Sequence, residues 1–214
     1  MIHFHIVTLF PESIEPYLDA SILGRAQRDK KIKVSFYNPR DYTKDKHNRV
    51  DQKPYGGGPG MVLEAASVLR AAGKAIGRKK DVLTVFFSPS GEQFTNNLAR
   101  KFTKKYKHIV FICGHYEGVD ARVAKILKAK HVSIGPYVLT GGELPAAVMI
   151  DAMVRQIPGV LGAYESLEEE RVSASEVYTR PEVLVWKDKQ YRVPKILLSG
   201  HHKKIEEWKK KRSK

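Results

Sequence analysis

Three short stretches of the chain hold residues suited to cradling a small polar ligand. They are Ser88-Pro89-Ser90-Gly91, Gly114-His115-Tyr116-Glu117-Gly118 and Gly135-Pro136-Tyr137-Val138-Leu139-Thr140-Gly141-Gly142. Glycine lets a backbone turn sharply and approach a ligand closely. One such stretch is ordinary turn chemistry; three in succession, each after an apolar run, imply a shared pocket. Two familiar nucleotide motifs are excluded. Tyr55-Gly56-Gly57-Gly58-Pro59-Gly60 lacks the Gly-Lys-Ser/Thr ending of a phosphate loop and the spacing of a dinucleotide fingerprint. The eight histidines form no pair on one helical face, and His201-His202, being adjacent, point in different directions. No metal site is therefore expected. Cys113 is the only cysteine, which excludes an internal disulfide and a thiolate cluster within one chain and fits a reducing, cytoplasmic compartment.

The loops need elements to position them. Residues 82–87 and 109–113 are apolar on both faces and read as buried strands, as does the shorter run 131–134. Residues 2–9 and 32–37 read as two more strands. Helical periodicity appears after Pro11, where Ile14, Leu18, Ile22 and Leu23 recur. It returns over 61–76, 92–106, up to about 127, and over 143–157, while 42–60 reads as a long loop. Buried strands alternating with helices imply an α/β fold with a mostly parallel sheet. Ligands bind at the carboxyl ends of such strands, where all three glycine stretches fall. After Pro158 the pattern changes: 165–170 is acidic and 171–176 is polar without clear period, as in a linker. Ile205 and Trp208 suggest a short basic helix near the end. A domain boundary is expected near Leu161.

The charge balance points to a polyanion. The net charge is +15, with 38 Lys and Arg against 23 Asp and Glu, and the pI is near 9.8. From Trp186 onward there are 11 Lys/Arg and 3 Asp/Glu, a local excess of +8. A solvated tail is the plainer reading of that run. A membrane surface fits poorly, because the tail has few large apolar residues to insert. The longest apolar runs are too short to span a bilayer, and the N-terminus shows no signal-peptide pattern.

Residues 134–145, IGPYVLTGGELP, resemble the bacterial tRNA (guanine-N1)-methyltransferase family of the SPOUT superfamily. The resemblance extends to YGGGPGMV at 55–62, SPSG at 88–91, GHYEGVD at 114–120, RQIPGVLG at 155–162, YTRPEV at 178–183 and LLSGHHKKIEEW at 197–208, all in family order. It implies a trefoil-knotted methyltransferase domain over 1–161, a flexible linker over 162–177 and a small, mostly helical, tRNA-binding domain over 178–214. It also implies a homodimer, S-adenosylmethionine as methyl donor with Mg²⁺ as a further candidate, and 1-methylguanosine at tRNA position 37 as product. Carried over by motif, the donor contacts are Ser88, Pro89, Gly91, Gly114, Glu117, Ile134, Gly135, Pro136, Tyr137, Val138, Leu139, Gly141, Gly142 and Pro145.

The reaction makes its own demands. Guanine N1 carries a hydrogen and is a poor nucleophile until that proton leaves; a carboxylate held close, with a raised pKa, is a plausible base. A cation at O6 would stabilise the developing negative charge. By resemblance the cation is Arg155 and the base is Glu170, where the family has an aspartate. Pro136 also stands where the family has an aspartate, Val177 replaces a histidine, and the segment between Glu170 and Tyr178 is shorter than the family pattern. These departures keep two other readings open: a donor-binding, RNA-binding protein with weak or no catalysis, and a knotted methyltransferase acting on another RNA.

Overall fold

The computed structural model describes residues 1–161 and 176–212. The chain divides into two compact units, Met1–Leu161 and Gly162–Lys214. In the first unit β1 (Ile2–Val7), α1 (Glu15–Leu18), α2 (Ser21–Arg28) and β2 (Ile32–Tyr37) are followed by β3 (Asp51–Gln52), β4 (Val62–Leu63) and α3 (Ala65–Ile76). Then come β5 (Val82–Gln93), α4 (Asn96–Lys105), β6 (His108–Ile112), α5 (Ala121–Ile126), β7 (Lys130–Ser133) and α6 (Glu143–Val154). Five strands form one parallel sheet in the order β2-β1-β6-β5-β7.

Strand parity sorts the core into two layers. Ile2, Phe4, Ile6, Ile109 and Phe111 face one side and pack with Leu98, Phe102, Met149, Ile150 and Met153 of α4 and α6. Val7, Val110 and Ile112 face the other and pack with Val68, Ala71, Ala72 and Ala75 of α3 and Val123 of α5. Alanines on α3 let the helix lie close to the sheet.

The expected α/β fold with a mostly parallel sheet is what the first unit shows. Several boundaries differ, each for a local reason. The helix expected over 61–76 begins at Ala65, because Val62 and Leu63 pair antiparallel with Gln52 and Asp51. The helix expected over 92–106 begins at Asn96, with the Thr95 hydroxyl accepting from Leu98 N–H. Glu92 and Gln93 are instead strand residues beside β7. Between Phe87 and Glu92 the register jumps, and both residues pair with Val132. The turn at 88–91 is thus an excursion within one strand.

The second unit contains β8 (Val183–Trp186), β9 (Lys189–Arg192), α7 (Lys195–Leu198) and α8 (His202–Lys211). The basic helix expected around Ile205 and Trp208 is α8. The antiparallel hairpin β8–β9 departs from a mostly helical expectation. Its two-residue turn, Lys187-Asp188, has φ of 47° and 61°, the backbone that matches the twist of paired strands. Tyr178 lies against Trp208, with ring centroids 6.4 Å apart, and Arg212 stacks over the same indole at 4.7 Å. No helix among the described residues is long and apolar enough to cross a membrane.

Candidate active site

The three glycine loops meet where the 88–91 excursion of β5 lies beside the carboxyl ends of β6 and β7. They enclose a cleft of about 240 Å³, the scale of a small organic ligand rather than of a single water. Ser88 and Pro89 line it from the first loop, Gly114 and Glu117 from the second, and Ile134, Gly135, Tyr137, Val138, Leu139, Gly141 and Gly142 from the third. Pro145, in the first turn of α6, also lines it. Tyr137, Val138 and Leu139 are exposed, Val138 by 84%. Apolar groups left uncovered around a cleft suit a flat apolar ligand surface.

Gly91 and Pro136 do not line the cleft. A Cβ on Gly91 would stand 2.6 Å from the backbone nitrogen of Val132. Gly91 therefore serves the return of β5 to β7, and its lack of a side chain is a packing requirement. Gly142 has a similar duty at the cleft itself. Its N–H donates to Gly114 O at 3.0 Å, and a Cβ there would lie 2.6 Å from Cys113 Cα. The third loop is thereby seated on the end of β6, and an isolated bridge between His115 and Gly141 holds the next residues together.

Sequence reasoning did not single out His115, Thr8 or Glu143. Glu143 opens α6 and is 5% exposed. Its Oε1 accepts from the Thr8 hydroxyl, and its Oε2 lies 2.7 Å from His115 Nε2. Thr8 Oγ1 in turn accepts from Phe10 N–H at 2.9 Å, and the Phe10 ring meets the His115 imidazole edge-on at 4.7 Å. His115 lines the cleft. A Cβ on Gly141 would stand 2.5 Å from Glu143 Oε2 and 2.6 Å from His115 Nε2. Gly141 thus leaves room for this hydrogen-bonded pair. Burial, with the charge of Glu143 nearby, pushes the Cys113 thiol well above its ordinary pKa. Cys113 is thus a packed core group rather than a nucleophile.

Arg155 caps the far end of α6. The 12 residues of that helix span about 18 Å, so the structure does not bring Arg155 to the cleft of its own chain. Glu170 lies outside the described residues. The histidines do gather in one place: His3, His5 and His108 meet on the sheet, a strand arrangement that a search for helical spacing passes over.

The chain matches the family model described as tRNA (Guanine-1)-methyltransferase TrmD over residues 2–214. It is 46% identical to a tRNA (guanine-N(1)-)-methyltransferase of Carboxydothermus hydrogenoformans, over 97% of this chain and 81% of that one. A protein of the same name from Dictyoglomus turgidum is 44% identical, over 99% of this chain and 84% of the relative. One from Staphylococcus epidermidis is 47% identical, over 94% and 82%.

Proposed function

Because the chain belongs to the tRNA (guanine-1)-methyltransferase family, we propose that it transfers a methyl group from S-adenosylmethionine to N1 of guanosine 37 in tRNA. The observation that carries this reading is the convergence of three glycine loops on one cleft rimmed by Tyr137, Val138 and Leu139. A flat purine suits Leu139 and Pro145, and the backbone of 114, 135, 141 and 142 lines the space left for the rest of the donor. Glu143, next to the cleft, is engaged by Thr8 and His115. Glu117 is exposed at the cleft and is the one that fits a Mg²⁺, a cation that takes oxygen ligands.

The trefoil knot, the dimer and a cytoplasmic location belong to the same proposal. The knot reading is supported by the third loop crossing back over the end of β6, where Gly142 meets Gly114. The dimer reading is supported by α6. Its Leu144 and Val148, one turn apart, are 59% and 48% exposed on a helix whose other residues are mostly buried. An exposed apolar stripe of this kind suits a second copy. Two α6 helices packed antiparallel would also carry Arg155 of one chain toward the cleft of the other. In that setting Arg155 stabilises the charge growing at guanine O6, and Glu170 takes the N1 proton.

For tRNA, the second unit offers exposed Trp186 and Tyr191 beside Lys187, Lys189 and Arg192, and α8 adds a run of lysines. Cations grip phosphates with strong salt dependence, and exposed aromatic faces stack on bases. The deciding experiment incubates the full chain with labelled donor and a tRNA transcript carrying guanosines at 36 and 37. Methyl mapped to N1 of guanosine 37 supports the reading. Donor binding without transfer supports the RNA-binding alternative, and methyl on a different base supports the other.

A further inference from the structure

His3 and His5 are two residues apart on β1, so both rings project from the same face of the sheet. His108 opens β6 directly beside His3. One ring nitrogen from each of the three lies within 4.8 Å of the others. This face is covered by α3, whose core contacts end with Ala75 and Ile76. Gly77, at φ 52°, turns the chain away there. His5 lies beside Val110, which packs under that helix, while His3 and His108 are nearer the strand starts and partly exposed. His3 and His108 sit at the amino ends of their strands; along β1, His3 is about 13 Å and His5 about 7 Å from the strand's carboxyl end.

We propose that His3, His5 and His108 form a binding site for one divalent transition-metal ion of the zinc class. His5 Nε2 and His108 Nδ1 are 3.2 Å apart. Two nitrogens bound to one tetrahedral zinc at about 2.0–2.1 Å lie about 3.3 Å from each other, so this pair already has the spacing of a coordination edge. His5 Nδ1 is 3.1 Å from the Tyr37 hydroxyl, and His3 Nε2 is 2.8 Å from the Ser35 hydroxyl. Hydrogen-bond partners of this kind orient metal-binding imidazoles.

Three nitrogen donors with no oxygen ligand among them disfavour Mg²⁺ and Ca²⁺, which are held by oxygen. Imidazole nitrogen suits Zn²⁺, Cu²⁺ and Ni²⁺. His5 is fully buried, while His3 and His108 are only partly so. The ion would therefore enter past those two, with water as its fourth ligand.

The test uses the full chain without a purification tag, stripped with chelator and titrated with Co²⁺, whose visible spectrum reports tetrahedral coordination. We expect one equivalent to bind, to be displaced by Zn²⁺, and to resist excess Mg²⁺. His108→Gln should remove the tetrahedral band while keeping the far-ultraviolet circular dichroism and donor affinity of the parent. Ser35→Ala should weaken Zn²⁺ by about 10–100-fold, as expected for loss of an orienting partner. Exchanging both His201 and His202 for alanine should change nothing. The proposal is overturned if no stoichiometric Zn²⁺ binds, if His108→Gln binds like the parent, or if the tail variant abolishes binding. Should His108→Gln fail to fold, unchanged affinity in Ser35→Ala overturns it instead.

Discussion

Gly142→Ala adds a single methyl group at the point where the third loop meets β6. That methyl would stand 2.6 Å from Cys113 Cα and 3.1 Å from Gly114 N, both of them backbone atoms in a buried strand end. Neither can swing aside, so the loop must lift by about an ångström to restore ordinary contact. Overpacking of this kind costs about 1–3 kcal/mol. Loss of the bond from Gly142 N–H to Gly114 O adds about 0.5–1.5 kcal/mol. If the seated loop is the form that binds donor, as proposed, the combined penalty of about 1.5–4.5 kcal/mol should weaken affinity by about 10- to 2000-fold. The global fold should survive, because the penalty falls at one loop. Gly73→Ala is the control: it makes the same chemical change in mid-helix with nothing within 4 Å. It should leave donor binding unchanged and stabilise the protein by about 0.5–1 kcal/mol. Calorimetric titration with S-adenosylmethionine, alongside circular dichroism, reads both. A folded Gly142→Ala protein that binds donor as tightly as the parent would refute the reasoning.

Glu170→Gln keeps the size of the side chain but cannot accept a proton. Single-turnover methylation should fall by about 10²–10⁴ with donor affinity unchanged; full activity would remove Glu170 as the base. Mixing an Arg155→Ala chain with a chain lacking residues 186–214 should restore activity that neither shows alone, since a two-chain site can be reassembled in the heterodimer. A monomer by light scattering at micromolar concentration would exclude that architecture. Stability should also depend on pH through His3 and His5. Their folded values of about 4 and 3 lie below the unfolded value of 6.5. As pH falls below 6.5 the unfolded chain takes up protons that the folded one refuses, so the melting temperature should drop toward pH 3. The neighbours facing these rings are His108, Lys33 and Lys79, with Tyr37 against His5. In chelator, replacing both rings by Gln should flatten the decline, and an unchanged slope would count against their depressed values.

The cleft was legible because its signal is local. Glycine after an apolar run marks a break in a strand, and these three breaks meet because β6, β5 and β7 are neighbours in the sheet. Gly91 shows the limit of that logic. It carries the same local signal, yet its demand comes from β7, some forty residues later. The Thr8–Glu143–His115 network was not legible, because its members lie 135 and 28 positions apart and only the sheet order brings them together. The histidine cluster joins β1 to β6 in the same way, although His3 and His5 at strand spacing were a usable hint. The hairpin was readable in principle: apolar and aromatic residues flank a two-residue break at Lys187-Asp188. The strong basic charge of that stretch drew attention to the partner instead of to the strands.

The register jump in β5 separates two problems that a protein usually has to solve together. Phe87 and Glu92 are both pinned opposite Val132, so the ends of the 88–91 excursion are fixed by the sheet and not by the excursion itself. Closure entropy rises slowly with length: doubling such a loop costs only about 0.6 kcal/mol. The chain can therefore change the length and composition of this rim while every strand keeps its partner. Only the return at Gly91, against the backbone of Val132, is held to one residue type. Ligand preference at this edge is free to drift without refolding what lies beneath it.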